Sequence, residues 1–112
     1  MAAKFELKQA AGGQYMFNLK AANGEVVLTS ETYKQKHSAE EGIASVKANA
    51  SHDSRFERKT AKDGSPYFVL KAANGEIIGK SEMYSSTSAM EKGIAAVVKC
   101  SSEAVIADTT VH

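Results

Sequence analysis

The strongest constraint on this sequence is an internal duplication. Sliding the chain along itself by about 51 positions places Phe5 on Phe56 and Gly13 on Gly64, with two long blocks in register. The first block aligns Phe17-Asn18-Leu19-Lys20-Ala21-Ala22-Asn23-Gly24-Glu25 with Phe68-Val69-Leu70-Lys71-Ala72-Ala73-Asn74-Gly75-Glu76. The second aligns Ser30-Glu31-Thr32-Tyr33 with Ser81-Glu82-Met83-Tyr84, and continues from Glu40 to Val46 against Glu91 to Val97. Two segments this similar are expected to build the same supersecondary unit twice, so the whole chain reduces to one unit and a symmetry operation.

Within each unit the hydrophobic period changes once, from two to 3.6. Phe5-Glu6-Leu7-Lys8 and Tyr15-Met16-Phe17-Asn18-Leu19-Lys20 alternate apolar and polar, which reads as two strands with Phe5, Leu7, Phe17 and Leu19 turned inward. Phe56, Phe68 and Leu70 take the matching places in the second unit, while Arg58 replaces Leu7 and is expected near a rim. Asn23-Gly24 and Asn74-Gly75 are expected to form two-residue hairpins with both central residues at positive φ, leading into third strands at Glu25 to Thr29 and Glu76 to Lys80. Ala11-Gly12-Gly13 and Lys62-Asp63-Gly64 turn the chain between strands one and two, and Pro66 opens the strand after the latter. Apolar residues then recur at helical spacing: Ala39, Gly42, Ile43, Val46 and Ala50, then Met90, Gly93, Ile94 and Val97. These predict amphipathic helices of about three turns, with Ser38/Glu41 and Ser88/Glu91 as capping boxes. A mid-helix glycine costs about 1 kcal/mol relative to alanine, so Gly42 and Gly93 in the apolar stripe point to close approach of a neighbouring backbone.

The expected fold is therefore α+β, two tandem β-β-β-α repeats packed about a pseudo-twofold axis. Each repeat alone, three strands and a helix, is too small to be stable, so both share one core. The 112 residues form a single domain, with repeats at about 4–50 and 55–100 and a tail over 101–112 whose Ala104-Val105-Ile106-Ala107 is too short to classify. Neither period nor turn chemistry decides between one continuous sheet and two packed ones.

Fourteen Lys and Arg against thirteen Asp and Glu leave a formal charge of +1, which supplies no global field toward nucleic acid or lipid. No apolar run approaches the roughly 18 residues of a membrane helix. The start, Met1-Ala2-Ala3-Lys4, lacks the apolar stretch of a signal peptide, and one cysteine makes no internal disulfide, so a cytoplasmic setting is expected. His37, His52 and His112 have no metal-ligand spacing, and Cys100, beside Lys99, has no histidine close in sequence. No nucleophile elbow and no phosphate-cradling glycine loop occurs; neither metal nor cofactor is expected.

The duplicated polar set, Ser30, Glu31 and Tyr33 with Ser81, Glu82 and Tyr84, forms the candidate ligand-binding site. Its bland reading is structural: serines bonding nearby amides, and tyrosines laying their rings over the core with the hydroxyls wet. Its functional reading places two Glu and two Tyr around a shared groove, or makes two equivalent small-ligand sites. A competing surface is the outer sheet face, where Met16, Asn18 and Lys20 match Tyr67, Val69 and Lys71. An aromatic ring beside lysines can stack a base, but no wider basic stripe is visible along the chain, which argues against nucleic acid.

Taken together, the duplicated Phe-x-Leu-Lys-Ala-Ala-Asn-Gly-Glu, Ser-Glu-x-Tyr and Gly-Ile-Ala-x-Val blocks resemble the YegP-like family of small bacterial proteins over about residues 4–100. The resemblance implies a tandem pair of β3-α units, the arrangement that single-repeat relatives are expected to reach by dimerising. It also implies a bacterial cytoplasmic setting, and it transfers no catalytic residue, since the family is a domain of unknown function. The family's Glu-Asn-Gly-Ile at the helix is altered here, with Glu41 and Lys92 preceding the glycines. The reading that results is a non-enzymatic module binding a protein or small molecule, with a homodimer left open. The alternatives are a small enzyme using Glu31, Glu82, Tyr33 and Tyr84 as acid-base groups, and a weak nucleic-acid binder through the sheet.

Overall fold

The computed structural model describes residues 3–110, so Met1 and Ala2 at the start and Val111 and His112 of the tail lie outside the described residues. The elements run β1 (Lys4–Gln9), β2 (Tyr15–Lys20), β3 (Val26–Ser30), α1 (Lys36–Asn49), β4 (Phe56–Thr60), β5 (Pro66–Lys71), β6 (Ile77–Lys80), α2 (Thr87–Glu103) and β7 (Val105–Asp108). All seven strands join one sheet in the order β4-β5-β6-β3-β2-β1-β7. The question left open by the sequence is thus answered by a single antiparallel junction, where Thr29 pairs with Lys80 and Ser30 with Gly79. Thr29 and Lys80 are equivalent positions of the duplication, so the pseudo-twofold axis passes through that pair.

Both helices lie on the Phe17/Phe68 side of the sheet, and each reaches strands of the other repeat, α1 packing on β2 and also β5 and β6, α2 on β5 and also β2 and β3. The shared core is built from fully buried Phe5, Leu7, Phe17, Leu19, Leu28, Ile43, Val46, Phe68, Leu70 and Val97. At the junction the copies differ for a steric reason. Leu28 corresponds to Gly79, and a Cβ at Gly79 would stand 2.7 Å from Leu28 Cγ, so one side chain fills the axial space that two could not.

The tail supplies β7, which pairs in parallel with β1 and makes β1 an interior strand. Thr109 donates its N–H and its hydroxyl to the Leu7 carbonyl, at 2.8 and 2.9 Å. This asymmetry accounts for the mismatch of Leu7 with Arg58. Leu7 is covered, whereas β4 is a bare edge from which Arg58 reaches Glu91 of α2 (2.6 and 3.0 Å) and Asp53 (3.1 Å). A charged residue on a sheet edge also discourages further strand pairing.

Three local expectations are corrected. The Asn-Gly hairpins are three-residue loops: Ala21 N–H donates to the Glu25 carbonyl and Gly24 N–H to the Ala21 carbonyl, both at 2.9 Å. Among the described residues only glycines have positive φ, Gly24 and Gly75 both at 87°. Asn23 and Asn74 therefore stay right-handed, freeing their side-chain oxygens to accept from Glu25 and Glu76 N–H at 3.0 Å. The capping boxes do not form. The helices start at the equivalent positions 36 and 87, α1 without a side-chain cap at Gln35 and α2 capped by Ser86, whose hydroxyl accepts from Ala89 N–H. Tyr33 and Tyr84, tied to strand two by backbone hydrogen bonds, fix where the chain can turn upward, and Glu91 is spent on Arg58 instead. Finally, what approaches the helix glycines is a tyrosine ring and not a backbone: a Cβ on Gly42 would lie 2.6 Å from Tyr33 Oη, and one on Gly93 2.6 Å from Tyr84 Cζ.

Candidate functional site

The six candidate residues divide between the two faces of the sheet. Tyr33 and Tyr84 go to the helix side. Their rings stack on Phe17 and Phe68 with centroids 6.4 and 6.2 Å apart and interplanar angles of 8° and 10°. Partial burial raises both phenol pKa values above the ordinary range, helped by Glu31 and Glu76 near Tyr33 and by Glu82 and Glu25 near Tyr84. Each phenol thus holds its proton and serves as a wedge between strand two and a helix.

Ser30 and Ser81 are buried and committed to the backbone. Each hydroxyl accepts from a strand-two amide, Phe17 or Phe68, at 2.9 Å and donates to the carbonyl of the following glutamate, at 2.7 and 2.8 Å. They replace ladder hydrogen bonds where strand three leaves the sheet, which explains why Ser appears in both copies. Glu31 and Glu82 are exposed and line, with Val26, Thr29 and Lys80, a groove of about 420 Å³ over the pseudo-twofold axis. They stand at its two ends. Glu31 lies two residues beyond Thr29 and Glu82 two beyond Lys80 on antiparallel strands, so their Cα atoms are about 14 Å apart. The structure thus gathers the two serines and two glutamates around one groove and leaves the tyrosines out of it.

The surface continuous with this groove is richer than the sequence suggested. Alternation and register bring Lys4, Lys8 and Lys20 around Glu6, with Lys20 Nζ 3.0 Å and Lys8 Nζ 3.7 Å from its carboxylate. The second repeat repeats the device, Lys71 and Lys59 holding Glu57 at 2.9 and 3.4 Å. These lysines keep both glutamates below their usual carboxylate pKa, chiefly by the Lys20 and Lys71 hydrogen bonds. Lys80, on the axis, places its ammonium 5.2 Å over the Tyr67 ring. Six lysines against Glu6, Glu57 and the groove's Glu31 and Glu82 leave this face two charges positive, while the rest of the chain carries eight basic and nine acidic residues. A linear scan for basic runs misses this, because period-two spacing scatters the lysines over five strands. The signal that was available is the coincidence of Lys8/Lys59 and Lys20/Lys71 under the duplication.

Elsewhere the chemistry is sparse. Among the described residues no three His, Cys, Asp or Glu side chains gather to hold a metal ion. His112 lies outside them, His37 sits exposed 3.7 Å from Glu41, and His52 is exposed in the linker. Cys100 is 8% exposed and lines a concavity of about 430 Å³ with Ala96, Lys99 and Glu103. Burial raises its thiol pKa and outweighs the opposing pull of Lys99, so the thiolate needed for reactivity is disfavoured. Among the described residues no helix is long and apolar enough to cross a membrane.

A sheet continuous across a pseudo-dyad, with both helices on one side, defines a class of small tandem-repeat α+β proteins. The family described as a domain of unknown function, DUF1508, matches twice in tandem, at residues 10–57 and 61–108, and the chain belongs to it. It is 60% identical over 97 residues to a UPF0339 protein of Bordetella pertussis, covering 87% of this chain and 86% of that one. It is 53% identical to the UPF0339 protein YegP of Yersinia pestis, over 95% of both chains. The solution NMR structure of YegP from E. coli, a protein of unknown function, superposes with a TM-score of 0.94 at 48% identity over 100% of this chain and 97% of that one. A UPF0339 protein of Shewanella oneidensis gives 0.92 at 46% identity, over 98% and 93%.

Proposed function

We propose that this chain is a non-enzymatic binding module acting in the cytoplasm, and that its working surface is the sheet face away from the helices, centred on the Thr29/Lys80 groove. The observation that carries this reading is the one-sided architecture. Both helices cover the Phe17/Phe68 face, while the other face concentrates six lysines, an aromatic ring and the groove between Glu31 and Glu82. Massing like charge on one face lowers stability through self-repulsion, which makes a charged partner the natural explanation for it. The acid-base alternative has little support, since Tyr33 and Tyr84 serve the core and Glu31 and Glu82 stand at opposite ends of the groove.

The test compares capture from bacterial cytoplasm by the wild type, by Glu31→Gln/Glu82→Gln and by Lys20→Glu/Lys71→Glu, with protein, nucleic acid and metabolites analysed in parallel. A component held by the wild type and lost by a folded sheet-face variant is the expected result. Equal retention by all three chains would refute the assignment of the surface.

A further inference from the structure

Resting on that reading of the sheet as the working surface, we propose that the ligand of this face is single-stranded nucleic acid, its phosphates held by the two lysine clusters and a base set against Tyr67. The arrangement of charge across the strands carries the argument. Lys4, Lys8 and Lys20 form one cluster on β1 and β2, and Lys59 and Lys71 form its counterpart on β4 and β5. Between them, over the pseudo-twofold axis, Thr29 and Val69 flank Lys80, whose ammonium reaches Tyr67, and the only acidic side chains lining this groove among the described residues, Glu31 and Glu82, stand at its two ends. The Lys80 ammonium lies over the Tyr67 ring, 5.2 Å from its centroid, so a base that stacks there takes the ammonium's place on the ring and leaves the cation to pair with its phosphate.

The lysines are available for this work. Lys8, Lys20, Lys59 and Lys71 are between 24% and 38% exposed, and their pairs with Glu6 and Glu57 are the surface kind that contributes little and yields to competition. Glu6 and Glu57 interrupt the positive field at the centre of each cluster, which suits a flexible strand that can route its phosphates around them. A rigid duplex, with phosphates at fixed spacing, is less well matched. An acidic protein segment would satisfy the lysines but leave the aromatic ring without a role.

The experiment measures polarisation of labelled oligo-U and oligo-dT across salt concentrations, with a duplex of equal length and a poly-glutamate peptide as competitors. Four neutralised phosphates at about 0.7 each give a log–log salt slope near −3, about a 50-fold loss of affinity between 50 and 200 mM salt. Lys20→Glu/Lys71→Glu should abolish binding, and the milder Lys8→Gln/Lys59→Gln, on the neighbouring strands β1 and β4, should flatten the slope and keeps the test decisive where the charge reversal unfolds the sheet. Lys92→Glu/Lys99→Glu, on the exposed side of α2, should leave binding unchanged. Tyr67→Ala should weaken binding about fivefold or more at fixed salt with the slope preserved, the signature of a lost stacking contact. Equal competition by duplex or poly-glutamate, or indifference to Tyr67→Ala, overturns the assignment to single strands. No oligonucleotide binding at low salt overturns it as well, and the binding-module reading then stands or falls separately on whether sheet-face variants still lose a cytoplasmic component that the α2 variant keeps.

Discussion

Replacing Gly93 by alanine separates two forces that act in opposite directions. Helix propensity alone favours the change by about 1 kcal/mol, because glycine loses more backbone freedom than alanine on entering a helix. The packing opposes it. A Cβ at position 93 would run into Tyr84 Oη, 2.6 Å from Tyr84 Cζ and 3.3 Å from Phe68 Cε2, so the tyrosine must retreat by about an ångström or more to reach ordinary contact. That retreat disturbs the stack on Phe68, worth about 0.5–1.5 kcal/mol, and overpacking of this kind typically costs about 1–3 kcal/mol. The expected balance is a loss of about 1–2 kcal/mol, or roughly 4–8 °C in Tm for a chain of this size. Urea denaturation of wild type, Gly93→Ala, Tyr84→Ala and the double variant closes the cycle. With the ring gone, Gly93→Ala should turn stabilising. A single variant more stable than wild type would refute the wedge role of the tyrosine.

Removing either buried serine hydroxyl should be costly: Ser30→Ala leaves the Phe17 amide without its acceptor, for a loss of about 1–3 kcal/mol, with faster hydrogen exchange at that amide as the site-specific readout. Gly79→Ala should destabilise through its clash with Leu28, and Leu28→Ala added to it should cost less than Leu28→Ala alone, as chemical denaturation would show. Glu6, Glu57, Glu91 and Asp108 are held below their ordinary pKa by Lys20, Lys71, Arg58 and Lys36 respectively. Folding then favours the ionised forms, so their contribution is present above the unfolded carboxylate range near pH 4 and is lost as pH falls below it; urea midpoints measured from pH 7 to 3 should decline, and less so in high salt. Tyr33 and Tyr84 act at the other end: their raised pKa values predict a stability contribution that is lost as pH rises past 10, read by phenolate absorbance.

Most of the fold was legible in the sequence because the duplication supplied each element twice. The switch from period two to 3.6, the glycine turns and Pro66 at the head of β5 all mark what the structure contains. The misread features depend on neighbours that local pattern does not reveal. Ser38 and Ser88 fit a cap, yet the helix start is set by the strand contacts of Tyr33 and Tyr84. Gly42 and Gly93 signalled close packing, but that the intruder is an aromatic ring follows only from the sheet geometry. Whether the repeats join edge to edge rests on one short junction, Thr29 with Lys80 and Ser30 with Gly79, in segments whose composition suits either arrangement. For the site, Ser30 and Ser81 were recognisable as backbone partners, and Glu31 and Glu82 were expected around a shared groove with Tyr33 and Tyr84, which the core takes instead. The lysine face was hidden, because alternation disperses along the chain what five strands assemble in space.

The most direct test of the binding face is a titration of the amide spectrum of the isotopically labelled full chain with single-stranded oligonucleotide. Shifts are expected to gather on Met16 to Lys20, Thr29, Tyr67 to Lys71 and Lys80, with α1 and α2 silent on their exposed sides. Shifts centred on the helices, or around Cys100, would contradict it.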